Sequence, residues 1–132
     1  MDGPSYDQPV MTEARRIRGG AARRGGRSAE AWAALWLMLH GWRILGFRLK
    51  AAGVEVDLLA RRGAVLAVIE VKSRGDLATA LAAVAPDQRA RLWRAGQALQ
   101  ARRPDLSGLS LRLDLLALAP RRWPRHIADA WG

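Results

Sequence analysis

Residues 54–74, VEVDLLARRGAVLAVIEVKSR, constrain the fold more than any other stretch, because they set acidic residues and a lysine within two apolar runs. The runs at 54–60 and 64–71 are apolar on both faces and are joined at Arg-Arg-Gly, which indicates two central strands covered by helices. Glu55, Asp57, Glu70 and Lys72 interrupt these runs. The sequence therefore predicts charged side chains in or beside a protein core.

The spacing of these four residues predicts that they share one face of the sheet. Side chains two residues apart in a strand point the same way, so Glu55 lies beside Asp57 and Glu70 beside Lys72. An antiparallel hairpin with its turn centred on residues 62–63 would set Glu55 opposite Glu70 and Asp57 diagonal to Glu70. A slip of one residue would separate the two pairs onto opposite faces.

Carboxylates that face each other in such a place repel, so one must hold a proton or a cation must neutralise them. One lysine cannot balance three acids, whereas a divalent ion could. Hard oxygen ligands without His or Cys favour Mg²⁺ or Mn²⁺. We expect Asp57, Glu70 and the carbonyl of Val71 as ligands, with Lys72 positioning or deprotonating a water, or stabilising charge on a phosphate. The alternative is a plain salt bridge from Lys72 to Glu70 or Asp57 on an exposed edge.

Composition limits the class of protein and its partners. The formal net charge of +10 indicates a polyanionic partner, nucleic acid first, although an arginine-rich composition is the alternative, because only Lys50 and Lys72 are lysines. The chain has no cysteine, which excludes disulfides and thiolate zinc sites and fits a reducing compartment. The longest apolar stretch, residues 31–42, is shorter than the roughly 20 residues that span a bilayer. With no secretory-signal pattern at the start, we expect a cytoplasmic protein that does not bind membranes.

Apolar periodicity divides the chain into a disordered basic arm, residues 1–27, and a single domain, residues 28–132. The domain is predicted to open with a helix from an N-cap at Ser28 to Gly41. The elements expected after it are strands at 42–50, 54–60 and 64–71, a short helix at 76–83, a longer helix at 87–102, a strand at 109–118 and a helical turn in the tail. The main order, α-β-β-β-α-β, predicts an α/β fold with a mixed sheet flanked by helices.

Other residues that often carry chemistry are expected to be structural. Tryptophans at helical spacing are predicted in the core rather than as base-stacking platforms: Trp32, Trp36 and Trp93. His40 lies where a helix should end and is predicted to cap it. His126 has no metal-ligand companion and is predicted to be structural. Asp114 alternates with leucines and should face solvent or pair with an arginine; a metal-binding role is the further alternative.

Several stretches, in order, match one known family. RGGRSAEAWAALWLMLHGWRIL at 24–45 matches a Gly-rich start, an Ala-Glu pair and a helix ending in Gly. VEVDLLARRG matches a Glu-x-Asp-Leu strand, and VIEVKSR matches a strand with a (D/E)-x-K signature. LRLDLLAL and RHIADAW match the last strand and the tail. On these stretches the chain resembles the YraN-like uncharacterised proteins, a Holliday-junction-resolvase-like branch of the PD-(D/E)XK nuclease superfamily.

The resemblance implies a restriction-endonuclease-like fold and a metal-dependent endonuclease that hydrolyses phosphodiester bonds in structured or branched DNA. It implies that Asp57 and Glu70 bind the metal, that Lys72 is the signature lysine, and that Glu30 brings a further acid from the first helix. Glu55 matches a further glutamate of the family. A homodimer is an expectation by analogy, because resolvase-like proteins cut two strands.

The second long helix should supply contacts to nucleic acid. Gln88 stands where the family has a basic residue; it can hydrogen-bond a phosphate or a water, and Arg89 can supply the charge. Together with Arg74, these are the predicted nucleic-acid-binding residues. Two alternatives stay open: a nucleic-acid-binding module of the same fold that does not cut, and a protein-interaction domain whose basic surface meets an acidic partner.

Overall fold

The computed structural model describes residues 28–132, so the predicted disordered arm, residues 1–27, lies outside the described residues. The elements are α1 (residues 28–39), β1 (Arg43–Ala51), β2 (Val54–Arg62), β3 (Val65–Ser73), α2 (Leu77–Ala82), α3 (Pro86–Ala101), a 3₁₀ turn (Pro104–Leu106), β4 (Ser110–Leu118) and β5 (Arg125–Ile127). No helix within residues 28–132 combines the length and the apolar character needed to cross a membrane.

The described strands form one mixed sheet in the order β1-β2-β3-β4-β5. The first three strands are antiparallel, β3 and β4 are parallel, and β5 returns antiparallel to β4. The connection from β3 to β4 contains α2 and α3, as a parallel pair requires. The predicted α/β class with a mixed sheet and helices is confirmed. The predicted helical turn in the tail is wrong at 125–127, because this segment pairs with residues 115–117 of β4.

Helices cover both faces of the central strands, as the apolar runs predicted. Alternate residues of β3 pack into two different cores. One core joins β3 to α3 through Leu66, Val68, Leu92, Ala95 and Leu99. The other joins β3 to α1 through Ala33, Ala34, Leu37, Ala67 and Ile69.

Helix α3 rests directly on the sheet at Gly96. A Cβ atom at this position would lie 2.7 Å from Cγ2 of Val68 and 3.0 Å from Cδ1 of Leu111. A real side chain would therefore force the helix away from the strands. Gly96 thus fixes the position of α3 above β3, the strand that carries Glu70.

The register of the β2–β3 hairpin differs from the prediction. Leu59 pairs with Val68, and Arg62 pairs with Val65, so the turn is centred on residues 63–64 rather than 62–63. Gly63, with φ of +59°, takes the first turn position, where a left-handed backbone favours glycine. The shift moves the partner of each residue by two positions, so every side chain stays on the face of the sheet that was predicted for it. It also brings Asp57 directly opposite Glu70.

The end of α1 is as predicted and its start is not. Gly41 has φ of +88°, and Nδ1 of His40 lies 2.7 Å from the carbonyl oxygen of Trp36, which confirms the capping role of His40. Ser28 is itself helical rather than an N-cap, because the helical backbone already includes the first described residue.

Candidate active site

Two carboxylates from neighbouring strands lie together just beyond the last β2–β3 pair, Leu58 with Ile69. Oε2 of Glu70 is 3.5 Å from the backbone nitrogen of Asp57. In the other direction, the backbone N–H of Val71 donates a 2.9 Å hydrogen bond to Oδ2 of Asp57. Glu70 is 4% exposed and Asp57 is partly buried. The hairpin therefore holds both acids side by side, each anchored to the backbone of the other strand.

The surroundings of this pair disfavour two negative charges. Burial raises the pKa of Asp57 to about 6, although the Val71 N–H and the charge of Lys72 act in the opposite direction. Burial, followed by the charge of Asp57, raises the pKa of Glu70 well above its ordinary value. Lys72 lowers the pKa of Glu70 as well but does not cancel these effects. The pair is therefore stabilised either by taking up a proton or by gaining a further cation.

Glu30 and Glu55 lie near the pair and add to its negative field. Glu30, from α1, raises the pKa of both Asp57 and Glu70, and Glu55, which is exposed, raises that of Asp57. The structure thus brings Glu30, Asp57, Glu70 and Lys72 into one region, as the strand spacing predicted for the last three and the resemblance implied for Glu30. Their catalytic roles stay predictions.

Arg48 is a cation of this region that sequence reasoning missed. Its Nε donates a 2.8 Å hydrogen bond to Oε1 of Glu30. This bond raises the pKa of Arg48, burial opposes the rise, and the charges of Glu30, Glu55 and Asp57 support it. Arg48 lies within β1 with φ of +51°, and nothing in the spacing of the chain's many arginines marks it.

A metal ion would find only part of a ligand set in the protein side chains. Among residues 28–132, no three His, Cys, Asp or Glu side chains gather closely enough to hold a metal ion. The donors that the structure brings together are the carboxylates of Asp57 and Glu70, and the carbonyl of Val71 stays a predicted third ligand. These hard oxygens fit Mg²⁺, which usually binds one or two carboxylates and keeps several waters. The donor set is therefore compatible with the predicted ion.

The predicted nucleic-acid-binding residues occupy different settings. Arg74 directly follows β3 and is exposed, and Gln88 is partly buried in the first turn of α3. Nε of Arg89 donates a 2.9 Å hydrogen bond to the carbonyl of Val84, and its guanidinium lies 5.4 Å from the ring centroid of Trp131. Arg89 is thus engaged by the protein itself, whereas the exposed Arg74 donates, within the described residues, only a 3.1 Å hydrogen bond from Nη1 to the carbonyl of Ser73.

A second buried acid, Asp114 on β4, has a complete set of partners. Its carboxylate accepts hydrogen bonds of 2.8 and 2.9 Å from Arg112 and 2.9 Å from the backbone of Asp129, and it lies 2.7 Å from Nε2 of His126. Burial favours a higher pKa, but the bonds to His126, Arg112 and Asp129 together lower it. The predicted pairing with an arginine and the structural role of His126 are confirmed, and the solvent-facing alternative for Asp114 is wrong.

The tryptophans divide into buried and exposed members. Trp36 is partly buried against the α1 core, as predicted. Trp32 and Trp93 are 37% and 41% exposed, so the prediction that they are core residues is wrong, because both lie at the margin of the apolar stripe of their helix. Trp123, between β4 and β5, is 76% exposed, and its ring centroid is 6.2 Å from that of Trp32.

Comparison with known proteins assigns the family. The model of "Uncharacterised protein family UPF0102" matches residues 29–118. A UPF0102 protein of Caulobacter vibrioides (strain NA1000 / CB15N) is 59% identical over 118 residues, which covers 89% of this chain and 94% of the relative. A UPF0102 protein of Caulobacter sp. (strain K31) is 55% identical over 124 residues, 94% of this chain and 89% of the relative. One from Parvibaculum lavamentivorans is 50% identical over 111 residues, 84% of each chain. The chain therefore belongs to the uncharacterised protein family UPF0102, and the YraN-like resemblance is confirmed.

Proposed function

We propose that this protein is a metal-dependent nuclease with a PD-(D/E)XK fold that hydrolyses phosphodiester bonds in structured or branched DNA. The observation that carries the proposal is the Asp57–Glu70 pair, two carboxylates held together on neighbouring strands where burial raises the pKa of both. Strongly perturbed acids with a nearby lysine are typical of functional sites. The mixed sheet with helices on both faces is compatible with the proposed fold.

Each residue of the site has a chemical role in this proposal. A divalent ion such as Mg²⁺ or Mn²⁺ supplies, when bound, charge neutralisation at the scissile phosphate and acidification of water. The Val71 N–H keeps the Asp57 carboxylate in place. Lys72, whose charge acts on both carboxylates, orients a water or stabilises charge that develops on the phosphate. Glu30, held by Arg48, increases the negative field that attracts a cation.

The charge of the protein supports a nucleic-acid substrate. The formal net charge of +10 favours association with a polyanion and raises the rate of encounter with it. Arg74 is exposed two residues after Lys72, so it can contact a phosphate next to the one being cut. Gln88 and Arg89 are the further proposed contacts. A homodimer would allow two strands of a branched substrate to be cut by two copies of the site.

The test is a cleavage assay on branched, flap and duplex DNA with Mg²⁺, Mn²⁺ or EDTA. We expect cutting with either ion, none in EDTA, and at least a hundredfold loss in Asp57→Asn and Lys72→Met, because electrostatic groups at a reacting centre contribute on that scale. Asp87→Asn, which changes an exposed acid on α3, is the matched control and should cut normally. Equal cutting by wild type and Asp57→Asn would refute the proposal.

A second candidate is a DNA-binding module of the same fold that does not cut. The observation that favours it is the lack of a third acidic ligand beside Asp57 and Glu70 within residues 28–132. If this candidate is correct, the protein should bind DNA in a salt-sensitive way and should not cleave it with any metal ion present. If the protein neither binds nor cuts DNA at moderate salt, the basic surface serves an acidic protein partner instead.

A further inference from the structure

We propose that Trp123, with the arginines around it, binds the unpaired bases of a single-stranded DNA segment. The inference names one part of the substrate and rests on the DNA-binding half of the proposed function. It does not require cleavage. The surface concerned, the Trp123 patch, consists of Trp32, Arg74, Arg121, Arg122, Trp123 and Arg125.

The first observation is the exposure of Trp123. An indole is the largest apolar side chain, and proteins usually bury most of it. Trp123 is 76% exposed although it lies in the ordered connection between β4 and β5, directly before the buried Pro124. Its ring contacts Trp32 at a centroid distance of 6.2 Å and an interplanar angle of 34°. Because the two rings already touch, a base would stack on the outer face of Trp123 rather than between them.

The second observation is the charge around this ring. Trp32, Arg121, Arg122 and Trp123 line one open groove. Arg74, Arg122 and Arg125 line the adjoining one, and its only acid, Asp76, is engaged as the N-cap of α2 through Thr79. Within residues 28–132, none of these arginines forms an ion pair. Aromatic faces beside unpaired cations are typical of surfaces that bind single strands, where bases stack and phosphates meet arginine.

The third observation is continuity with the candidate active site. A further groove joins Trp32 to Ser73 and Arg74, the residues that directly follow Lys72. Two residues of extended chain span at most about 7 Å, so the patch begins within one nucleotide of the site. A branched or flapped DNA offers a duplex for cleavage and an unpaired arm beside it. The patch is therefore close enough to the candidate site to meet such an arm.

An apolar stripe on α1 extends away from the patch and makes a second copy of this chain the competing occupant. Leu35 and Leu39, on the same helical face as Trp32, are 46% and 72% exposed. Neither leucine lines the grooves at Trp123, whose linings include Arg74, Arg121, Arg122 and Arg125. Charge complementarity therefore favours DNA at Trp123 itself.

The experiment measures binding of a fluorescently labelled oligo-dT strand and of a duplex of equal length, in EDTA, by anisotropy. We expect Trp123→Ala to weaken single-strand binding about tenfold and duplex binding less than twofold, because stacking requires an unpaired base. Trp123→Phe should retain most of the affinity. Trp93→Ala is the matched control, since Trp93 is also exposed, on α3, and should change neither affinity.

Several outcomes would overturn the inference: no loss in Trp123→Ala, equal loss for single strand and duplex, or equal loss in Trp93→Ala. A dimer that dissociates in Trp123→Ala, seen by analytical ultracentrifugation without a change in DNA affinity, would assign the patch to a second copy. The two proposals fail separately. Trp123-dependent single-strand binding without any cleavage refutes only the nuclease, and metal-dependent cleavage together with single-strand binding that is insensitive to Trp123→Ala refutes only the patch.

Discussion

Asp114 and Glu70 lie on neighbouring strands, offset by one residue along the strand direction, yet their surroundings shift their pKa values in opposite directions. Asp114 on β4 is level with Ile69 on β3, the residue before Glu70. It is satisfied by Arg112, His126 and a backbone N–H, and these partners lower its pKa. Glu70 on β3 faces Asp57 instead, and both pKa values are raised. One sheet therefore holds a neutralised acid and an acid pair that lacks a sufficient counter-charge.

The contrast distinguishes a satisfied buried acid from an acid pair that needs a proton or a further cation. A buried carboxylate with an arginine, a histidine and a backbone donor is complete, and removing it leaves its partners unpaired. A carboxylate pair with too little positive charge destabilises the folded protein until a proton or a metal ion arrives. Stability measurements can therefore distinguish the two kinds of site independently of any cleavage assay.

The largest effect is expected for Asp114→Ala. Removing this carboxylate leaves the Arg112 guanidinium and His126 without their partner in a largely buried place, which should reduce the free energy of unfolding by about 3–5 kcal/mol. Urea denaturation followed by circular dichroism measures the loss. A loss below about 1 kcal/mol would show that the network around Asp114 contributes little to stability. Asp114 would then not be the stabilising acid that the contrast with Glu70 requires.

Asp57→Asn should have the opposite sign. The folded pKa of Asp57, about 6, lies above its ordinary 3.8, so ionisation begins to destabilise the fold above pH 3.8 and the full effect is present above pH 6. In EDTA at pH 8 the amide should therefore increase the free energy of unfolding by about 1–2 kcal/mol. At pH 4 wild type and variant should be nearly equal. A destabilised variant at pH 8 would contradict the excess of negative charge.

Mg²⁺ should stabilise the wild type and not Asp57→Asn or Glu70→Gln. Binding to the folded state alone adds about 1.4 kcal/mol when the ion is present at ten times its dissociation constant. Thermal unfolding with increasing MgCl₂, against NaCl of equal ionic strength, measures this effect. The same shift in all three proteins would indicate unspecific ionic stabilisation. It would show that Mg²⁺ does not bind at Asp57 and Glu70.

The smallest effect is expected for an exposed acid. Asp87 and Arg91 form an i,i+4 pair on α3 with 72% and 52% of their side chains exposed. Asp87→Asn should change the free energy of unfolding by no more than about 0.5 kcal/mol, and less at high salt. A larger change would mean that surface charges contribute strongly to the stability of this basic chain. The effects of Asp114→Ala and Asp57→Asn could then be compared only after the surface contribution is subtracted.

Local patterns were sufficient to predict the central hairpin and the grouping of its charged residues. Apolar runs on both faces predicted covered strands, and the two-residue spacing placed Asp57, Glu70 and Lys72 in one region. The register was wrong by two residues because the position of a tight turn depends on one glycine conformation, that of Gly63, which the apolar pattern does not specify. The predicted face of each side chain was still correct, because the register differed by an even number of residues.

Contacts between segments that are distant in sequence could not be predicted from local patterns. Arg48 reaches Glu30 across 18 positions, and no periodicity marks either residue. Asp114 alternates with leucines, and its burial depends on His126 and the backbone of Asp129 folding over it. The exposure of Trp123 depends on the β4–β5 connection, where the sequence predicted no strand. Family membership, by contrast, followed from stretches that are each local.

The contact at Gly96 has a mechanical consequence for anyone who redesigns this protein. Gly96 presents only a hydrogen atom to Val68, so a methyl group added at position 96 must displace α3 or the valine. Val68 is two residues before Glu70 on the same side of β3, so a displacement of this strand would reach the carboxylate pair. A larger residue at position 96 would therefore alter the candidate site through the α3 face of the sheet without changing a charged group.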